Sequence, residues 1–334
     1  MKDKVRWGIL STANIGVKQV IPAMQCGDWS AVTAIASRDL QKATSIAREL
    51  GIAKAYGSYD ALLDDPEIEA VYNPLPNHLH VPWTIKAAAA GKHVLCEKPI
   101  ALNATEAAQL IEARDRTGVR IQEAFMVRTH PQWLKTRDLI ASGRIGQLRT
   151  INGWFSYFNR DPANIRNQAD IGGGALMDIG CYPITTSRFI FGTEPRRVSS
   201  LIERDPEMAI DRLTSVLLDF PNGQAIFTCS TQLAHCQRMQ FVGTRGRLEL
   251  PIPFNAPASE PTRILCDDGS DLSGRKIEAI LIPVCNQYTI QGDRFSQSIR
   301  ENTEQPIPLA DAVKNMAVID AVFRSATSGQ WEEI

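Results

Sequence analysis

No stretch of the 334-residue chain approaches the ~20 consecutive apolar residues that a bilayer-crossing helix needs. A Cys-x-x-Cys pair is also absent. The seven cysteines (Cys26, Cys96, Cys181, Cys229, Cys236, Cys266, Cys285) are odd in number and scattered, so they read as buried thiols rather than a disulfide framework or a zinc ribbon. Histidines number five, and His78 and His80 stand two apart with no cysteine nearby; no metal site is expected. Charge of one sign is missing too: the net charge is −1, and no basic run is interleaved with aromatics, which speaks against a nucleic-acid partner. Met1-Lys2-Asp3-Lys4 leads straight into a strand-like run without an apolar core of signal-peptide length. The expectation is a cytoplasmic protein with no membrane partner.

What is present describes an ordinary globular chain, 44% hydrophobic and 22% charged. Its length exceeds the roughly 250–300 residues that one core usually supports, so two domains are expected. Through residue 122, short apolar runs (Val5 to Leu10, Val32 to Ala36, Ala70 to Asn73, His93 to Cys96, Val119 to Gln122) alternate with helical patterns over Leu40 to Leu50, Val81 to Ala90 and Ala104 to Arg116. That alternation is the signature of βαβ units and predicts a doubly wound parallel sheet over residues 1–122. Asn103, followed three residues later by Glu106, reads as the cap of the last of these helices.

From residue 123 the grammar changes. Leu148 to Tyr157, Val198 to Ile202, Thr214 to Phe220, Gln224 to Thr231, Met239 to Gly243 and Arg247 to Leu250 follow one another as strands with hairpin-like turns, Pro251 to Gly274 reads as a long loop, and Leu309 to Ser328 is helical. Residues 123–334 are therefore expected to form an α+β domain with an open, mainly antiparallel sheet.

The turn after the first strand reads Ser11-Thr12-Ala13-Asn14-Ile15-Gly16. A dinucleotide fingerprint needs small residues here, because the backbone approaches the pyrophosphate and the helix N-terminus points at it. Ser11, Ala13 and Gly16 occupy the three glycine places, so the fingerprint is degraded; an ordinary βα turn is the bland alternative. The second strand ends Ala36-Ser37-Arg38. An acid there would accept ribose hydroxyls and repel an added phosphate, whereas Ser37 can donate to a phosphate and Arg38 can pair with it or stack on adenine. NADP is the expected cofactor, with NAD the alternative because Asp39 lies close by; a plain cap by Ser37-Arg38-Asp39 is the competing reading.

Val94-Leu95-Cys96-Glu97-Lys98-Pro99 is an apolar strand that ends in an acid and an amine. Residues just beyond the carboxyl end of such a strand are placed for chemistry. A second candidate segment, Ile171 to Tyr182, has three consecutive glycines and then Asp178 and Tyr182 at a spacing that puts carboxylate and phenol on one helical face. An amine and a phenol beside a nicotinamide can move a proton while a hydride moves.

These segments, with Tyr72 to His80 and Glu123 to Arg128, resemble the Gfo/Idh/MocA oxidoreductases over nearly the whole chain. Tyr182 stands where many members have histidine, and the Asp178–Tyr182 form is similar to the branch of dihydrodiol dehydrogenases, NADP-dependent xylose dehydrogenases and glucose-fructose oxidoreductases. The resemblance implies a dehydrogenase or reductase of a sugar, polyol or vicinal diol, assembled as a homodimer or homotetramer through the second-domain sheet. It implies Tyr182 as proton donor or acceptor, with Lys98 lowering its effective pKa. Asp178 would hold a substrate hydroxyl or orient the lysine, unless it is a helix-start acid satisfied by backbone amides. Ser11 to Ile15, Ser37, Arg38, Pro74, Asn77, His80, Glu97 and Lys98 would contact the cofactor, although His80 could equally be a helix-start residue. Arg128 and His130 would lie near the substrate or form an ion pair, and Arg166 and Tyr157 are further pocket candidates. The runners-up are a dihydrodiol or keto-sugar reductase and a dinucleotide-binding sensor without turnover.

Overall fold

Strands covered on both faces need apolar side chains throughout, which is why the first third of the chain reads as short apolar runs. The computed structural model describes residues 3–334. In it, β1 (Val5–Leu10), β2 (Ser30–Ala36), β3 (Lys54–Tyr56), β4 (Ala70–Asn73), β5 (His93–Cys96) and β6 (Ile121–Glu123) form a parallel sheet in the order β3-β2-β1-β4-β5-β6. The order reverses between β1 and β4, the switch point where a Rossmann sheet receives its ligand. The intervening helices are α1 (Ile21–Gln25), α2 (Leu40–Leu50), α3 (Tyr59–Leu63), α4 (His80–Ala89) and α5 (Ala104–Thr117). Asn103 Oδ1 caps α5 by accepting from the Glu106 amide at 2.9 Å, while Glu106 reaches back to the Leu102 amide at 3.1 Å.

Contacts divide the chain into two units. The first contains the described residues up to Met126 and also Asn286–Val313; the second contains Val127–Cys285 and Lys314–Ile334. A linear division at residue 122 does not anticipate this return of the chain. Its physical reason lies in a later helix, Gln287–Glu301, whose Phe295 packs on Trp7 with ring centroids 5.8 Å apart. Ser296 accepts from the Trp7 indole at 3.0 Å, and Asp293 accepts from the Asp28 and Trp29 amides. Trp7, Ile9, Ile21, Ile35, Tyr72, Leu95 and Phe295 make one buried core.

The second unit is built on β7 (Leu148–Phe158), β8 (Arg197–Arg204), β9 (Asp211–Phe220), β10 (Gly223–Ser230), β11 (Gln232–Gly243), β12 (Arg247–Leu250), β13 (Thr262–Asp267), β14 (Glu278–Ile282) and β15 (Glu332–Glu333). They pair in the order β14-β13-β12-β11-β7-β10-β9-β8-β15, antiparallel everywhere except between β10 and β7. The helices α6 (Pro131–Ala141) and α7 (Cys181–Phe191) belong to this unit; α8 is the Gln287–Glu301 helix already described, and α9 (Leu309–Ser328) passes into the second unit, where Val322 and Ser325 bond Ser200 of β8. An aromatic cluster of Trp133, Phe155, Tyr182, Phe241 and Phe254 forms part of its core. Two expectations are corrected here. The segment Pro251 to Gly274 is not all loop, because Thr262–Asp267 pairs as β13 with β12 and β14; and β11 starts at Gln232 rather than Met239, its first half paired despite an exposed surface.

Candidate functional site

In the first unit, the turn after β1 is set by Ser11, whose φ of +117° is a region that side chains other than glycine rarely adopt. The serine that replaces the first fingerprint glycine compensates with its own side chain: Oγ accepts from the Ala13 amide at 3.2 Å. Gly16 is less constrained, since a Cβ there would meet Tyr72 and Pro74 only at ordinary contact distance. A π-helical turn, Gly16–Val20, follows before α1; such turns recur at functional sites.

At the end of β2, Ser37 is nearly buried and its Oγ accepts from the Asp39 amide, while Arg38 is exposed beside the Tyr59 hydroxyl. Asp39 is the N-cap of α2, with Oδ1 accepting from Gln41 at 2.9 Å and Lys42 at 3.2 Å. The acid that kept NAD in play is thus engaged with the helix end, and the residues present fit a phosphate-bearing ribose: a small hydroxyl, an exposed guanidinium and a carboxylate turned to another task.

Beyond β4, Asn73 is fully buried and organises the turn through Pro74 and Asn77: its amide donates to His80 O and Thr84 Oγ1 and its oxygen accepts from the Leu75 amide. His80 is 1% exposed, with Nδ1 2.7 Å from Pro99 O and Nε2 2.6 Å from Leu75 O. Burial pushes its pKa down to about 4, against the Pro99 and Leu75 carbonyls, which favour the protonated ring. Both ring nitrogens face backbone, which is the helix-start role and leaves no ring atom for a cofactor. Glu97 is likewise drawn inward: Oε1 accepts from the Tyr72 hydroxyl at 2.7 Å and Oε2 from the Lys98 amide at 3.3 Å. Burial first, and Glu97 second, hold the Tyr72 phenol protonated. Lys98, half-buried, is the next residue past this anchored acid.

In the second unit, Tyr157 and Phe155 stand two apart on β7 and therefore face the same side. Tyr157 donates to Asp178 Oδ2 at 2.7 Å, Arg166 Nε lies 3.0 Å from Asp178 Oδ1, and Phe155 packs on the Tyr182 ring at 5.7 Å. Asp178 and Tyr182 thus meet neighbouring positions of one strand face, as their spacing predicts, although Leu176–Gly180 is a π-helical turn rather than a continuation of α7. Both Asp178 oxygens are engaged by side chains, Oδ2 by Tyr157 and Oδ1 by Arg166. Burial, then Asp178, raises the Tyr157 phenol, and Asp178 raises Arg166 further above its ordinary value, with Tyr182 contributing as well.

Two expected substrate contacts are tied elsewhere. Arg128 donates to Thr185 Oγ1 at 3.1 Å and lies 4.6 Å over the Phe189 ring. His130 is fully buried, caps α6 by accepting from the Gln132 amide at 3.1 Å, and sits 3.4 Å from Cys285 Sγ; burial lowers its pKa to about 4, so it is neutral and forms no ion pair. Two residues that sequence reasoning missed are Tyr72, which anchors Glu97, and Asp211, whose Oδ2 accepts from the Leu176 amide at 2.6 Å. Tyr72 lay within a motif segment; Asp211 carries no sequence signal, since only tertiary folding brings it to Leu176. Among the described residues, no cluster of His, Cys, Asp and Glu could hold a metal ion, and no helix is long and apolar enough to cross a membrane.

Residues 5–125 match the model of an oxidoreductase family with an NAD-binding Rossmann fold, and residues 133–249 match the GFO/IDH/MocA C-terminal domain. An uncharacterised oxidoreductase of Rhizobium meliloti is 50% identical over 333 residues, 99% of this chain and 100% of that one. The NADP-dependent D-xylose 1-dehydrogenase 2 of Haloferax volcanii is 37% identical over 331 residues, covering 98% of this chain and 99% of its own. Among solved structures, a 3-ketoreductase from Actinomadura kijaniata in complex with NADP and TDP-benzene superposes with a TM-score of 0.90 at 29% identity, covering 97% of this chain and 98% of that one.

Proposed function

The chain belongs to the Gfo/Idh/MocA family of NAD(P)-dependent oxidoreductases, and from that premise we propose that it transfers a hydride between NADP and a sugar, polyol or vicinal diol, with Tyr182 moving the proton and Lys98 assisting it. The observation that carries this reading is the Tyr157–Asp178–Arg166 cluster, which fixes the carboxylate one turn before Tyr182. An acid, a phenol and a guanidinium gathered at the end of β7, with the guanidinium 42% exposed, form the kind of charged cluster that marks a functional-site candidate.

When bound, the nicotinamide accepts or returns a hydride at C4. In the oxidising direction the Tyr182 phenolate takes the hydroxyl proton as the carbinol carbon gives up its hydride; in the reducing direction the phenol returns that proton to the carbonyl oxygen. The Lys98 ammonium favours the phenolate and orients the oxygen through its charge. Asp178, held by Tyr157 and Arg166, fixes the position of the guanidinium, which is 42% exposed and has further N–H groups for substrate hydroxyls. Ser11 to Ile15, Pro74 and Asn77 line the dinucleotide, and Ser37 with Arg38 receives the ribose phosphate. His80 supports the turns at Leu75 and Pro99, and Glu97 the Lys98 amide. A keto-sugar reductase is the second reading, favoured by the fold match to a 3-ketoreductase.

The first unit, which adds Asn286–Val313 to the N-terminal domain expected over 1–122, is assigned the cofactor, and the second unit the substrate and self-association. Trp154, Ile226 and Leu201 lie exposed on strands of the large sheet, a surface suited to a homodimer or homotetramer. The working location is the cytoplasm. The deciding experiment follows nicotinamide absorbance while purified protein meets NADP or NAD with a panel of aldoses, polyols and diols. Turnover with NADP supports the assignment; cofactor binding with no turnover on any of them, in either direction, would point to a sensor.

A further inference from the structure

The segment bearing Asp178 and Tyr182 starts from three glycines, and its first turn is tied to a residue far away in the chain. Gly174 has φ +117°, and a Cβ there would come within 1.8 Å of Asp211 Oδ1. Asp211 is 2% exposed and opens β9. Its Oδ2 accepts from the Leu176 amide at 2.6 Å and from Thr214 Oγ1 at 3.1 Å. Leu176 begins the π-helical turn that contains Asp178 and runs into α7 at Cys181. The other side of the same glycines is fixed by backbone: the Gly173 amide donates to Gln168 O at 2.9 Å and the Gly174 amide to Arg166 O at 2.8 Å. The loop carrying Arg166 and the turn carrying Asp178 therefore share one hub, and Asp211 anchors it with a carboxylate.

A buried carboxylate is an expensive way to hold one helix end, since an isolated charge in an apolar site is strongly disfavoured. A backbone amide at the first turn of a helix carries partial positive charge, which an ionised carboxylate complements better than a neutral amide side chain does. We propose that Asp211 is a positioning residue for the reaction: its buried carboxylate, as hydrogen-bond acceptor, fixes the Gly172–Gly180 turn, and through it the placement of Asp178 and Tyr182. This rests on the role proposed above for Tyr182.

The groups facing Asp211 make its ionisation responsive to pH. Burial raises its pKa to about 6, opposed by the Leu176 and Thr214 hydrogen bonds and by the more distant Arg204 of β8. Cys229 of β10 faces it as a thiol that burial keeps protonated, with Asp178 and Cys181 lying around that same thiol.

The test uses the full chain with NADP and compares wild type with Asp211→Asn, which keeps the shape and removes the charge. Hydrogen exchange across residues 172–182 is followed from pH 5 to pH 8 after correction for intrinsic rates, alongside thermal midpoints and NADP affinity. Wild type is expected to gain protection of this segment as pH falls from 8 through about 6, because the raised pKa means that the closed turn binds the proton more tightly than the opened one. The variant should exchange about tenfold faster at pH 8, show no inflection, and bind NADP normally. An unaltered inflection in the variant, or faster exchange spread evenly over the large sheet, overturns the proposal. Turnover of D-xylose with NADP, measured on both proteins and on Tyr182→Phe, separates the two claims. Full activity of Tyr182→Phe removes the reading of Tyr182 as the proton carrier, while the exchange profile still decides whether Asp211 controls the turn.

Discussion

Tyr157 donates a hydrogen bond of 2.7 Å to Asp178, whose other carboxylate oxygen lies 3.0 Å from Arg166 Nε. The three side chains come from β7, from the loop after it and from the π-helical turn before α7, so one acid joins a strand, a loop and the start of a helix. Removing the phenol hydroxyl leaves one Asp178 oxygen without its partner in a half-buried site. Tyr157→Phe should cost about 1–2 kcal/mol of stability, read from denaturant or thermal midpoints. It should also raise KM more than it lowers kcat, because Arg166 loses its fixed counter-ion.

Asp39 and Arg38 are adjacent but perform separate tasks, and two substitutions should separate them. Asp39→Ala removes the α2 cap and should lower stability by about 1 kcal/mol, with little change in cofactor preference. Arg38→Ala should leave the melting point unchanged and weaken NADP about tenfold or more while sparing NAD. Titration of each variant with both cofactors, monitored by fluorescence, checks the pair.

Ser11 occupies a backbone region suited to glycine. Ser11→Gly should therefore keep NADP affinity within about threefold, the lost Oγ bond being offset by relief of strain, whereas Ser11→Val should weaken it about tenfold. Isothermal titration with NADP distinguishes the two outcomes.

His80 and His130 both have pKa values lowered to about 4 by burial. Unfolded, each would titrate near 6.5. Between those values the unfolded chain binds the proton and the native protein does not, so their stabilisation is complete above pH 6.5 and is lost as pH falls toward 4. Asp211 acts in the opposite direction, since its raised pKa makes the native state the better proton acceptor between about 4 and 6. The melting temperature should fall from pH 7 to pH 4.5, and His130→Asn should flatten that fall. A steeper decline in His130→Asn than in wild type would contradict the assigned ionisation.

The sheet of the first unit was legible because β1, β4 and β5 are short runs dominated by buried apolar side chains, broken only by the exposed Arg6 and the half-buried His93. Strand β13 escaped notice because it follows a proline-rich stretch and exposes Arg263 at its second position. Helix α8 was missed for another reason: its buried face carries Gln287, Gln291, Gly292, Ser296 and Ser298 beside Phe295, so apolar periodicity is weak. In the second unit, Asp178 and Tyr182, paired by their spacing, meet Tyr157 and Phe155 of one strand, and Arg166 joins Tyr157 in holding the acid. Tyr72 and Asp211 could not be found by pattern, because each owes its role to a partner that only the folded chain brings near.

Substitution of the two residues assigned to proton transfer tests the central claim most directly. Steady-state turnover with NADP and the best substrate from the panel should fall by about 10²-fold or more in Tyr182→Phe and in Lys98→Ala, with the dissociation constant for NADP held within about twofold. Parallel losses of turnover and cofactor affinity, or full turnover in either variant, would contradict it.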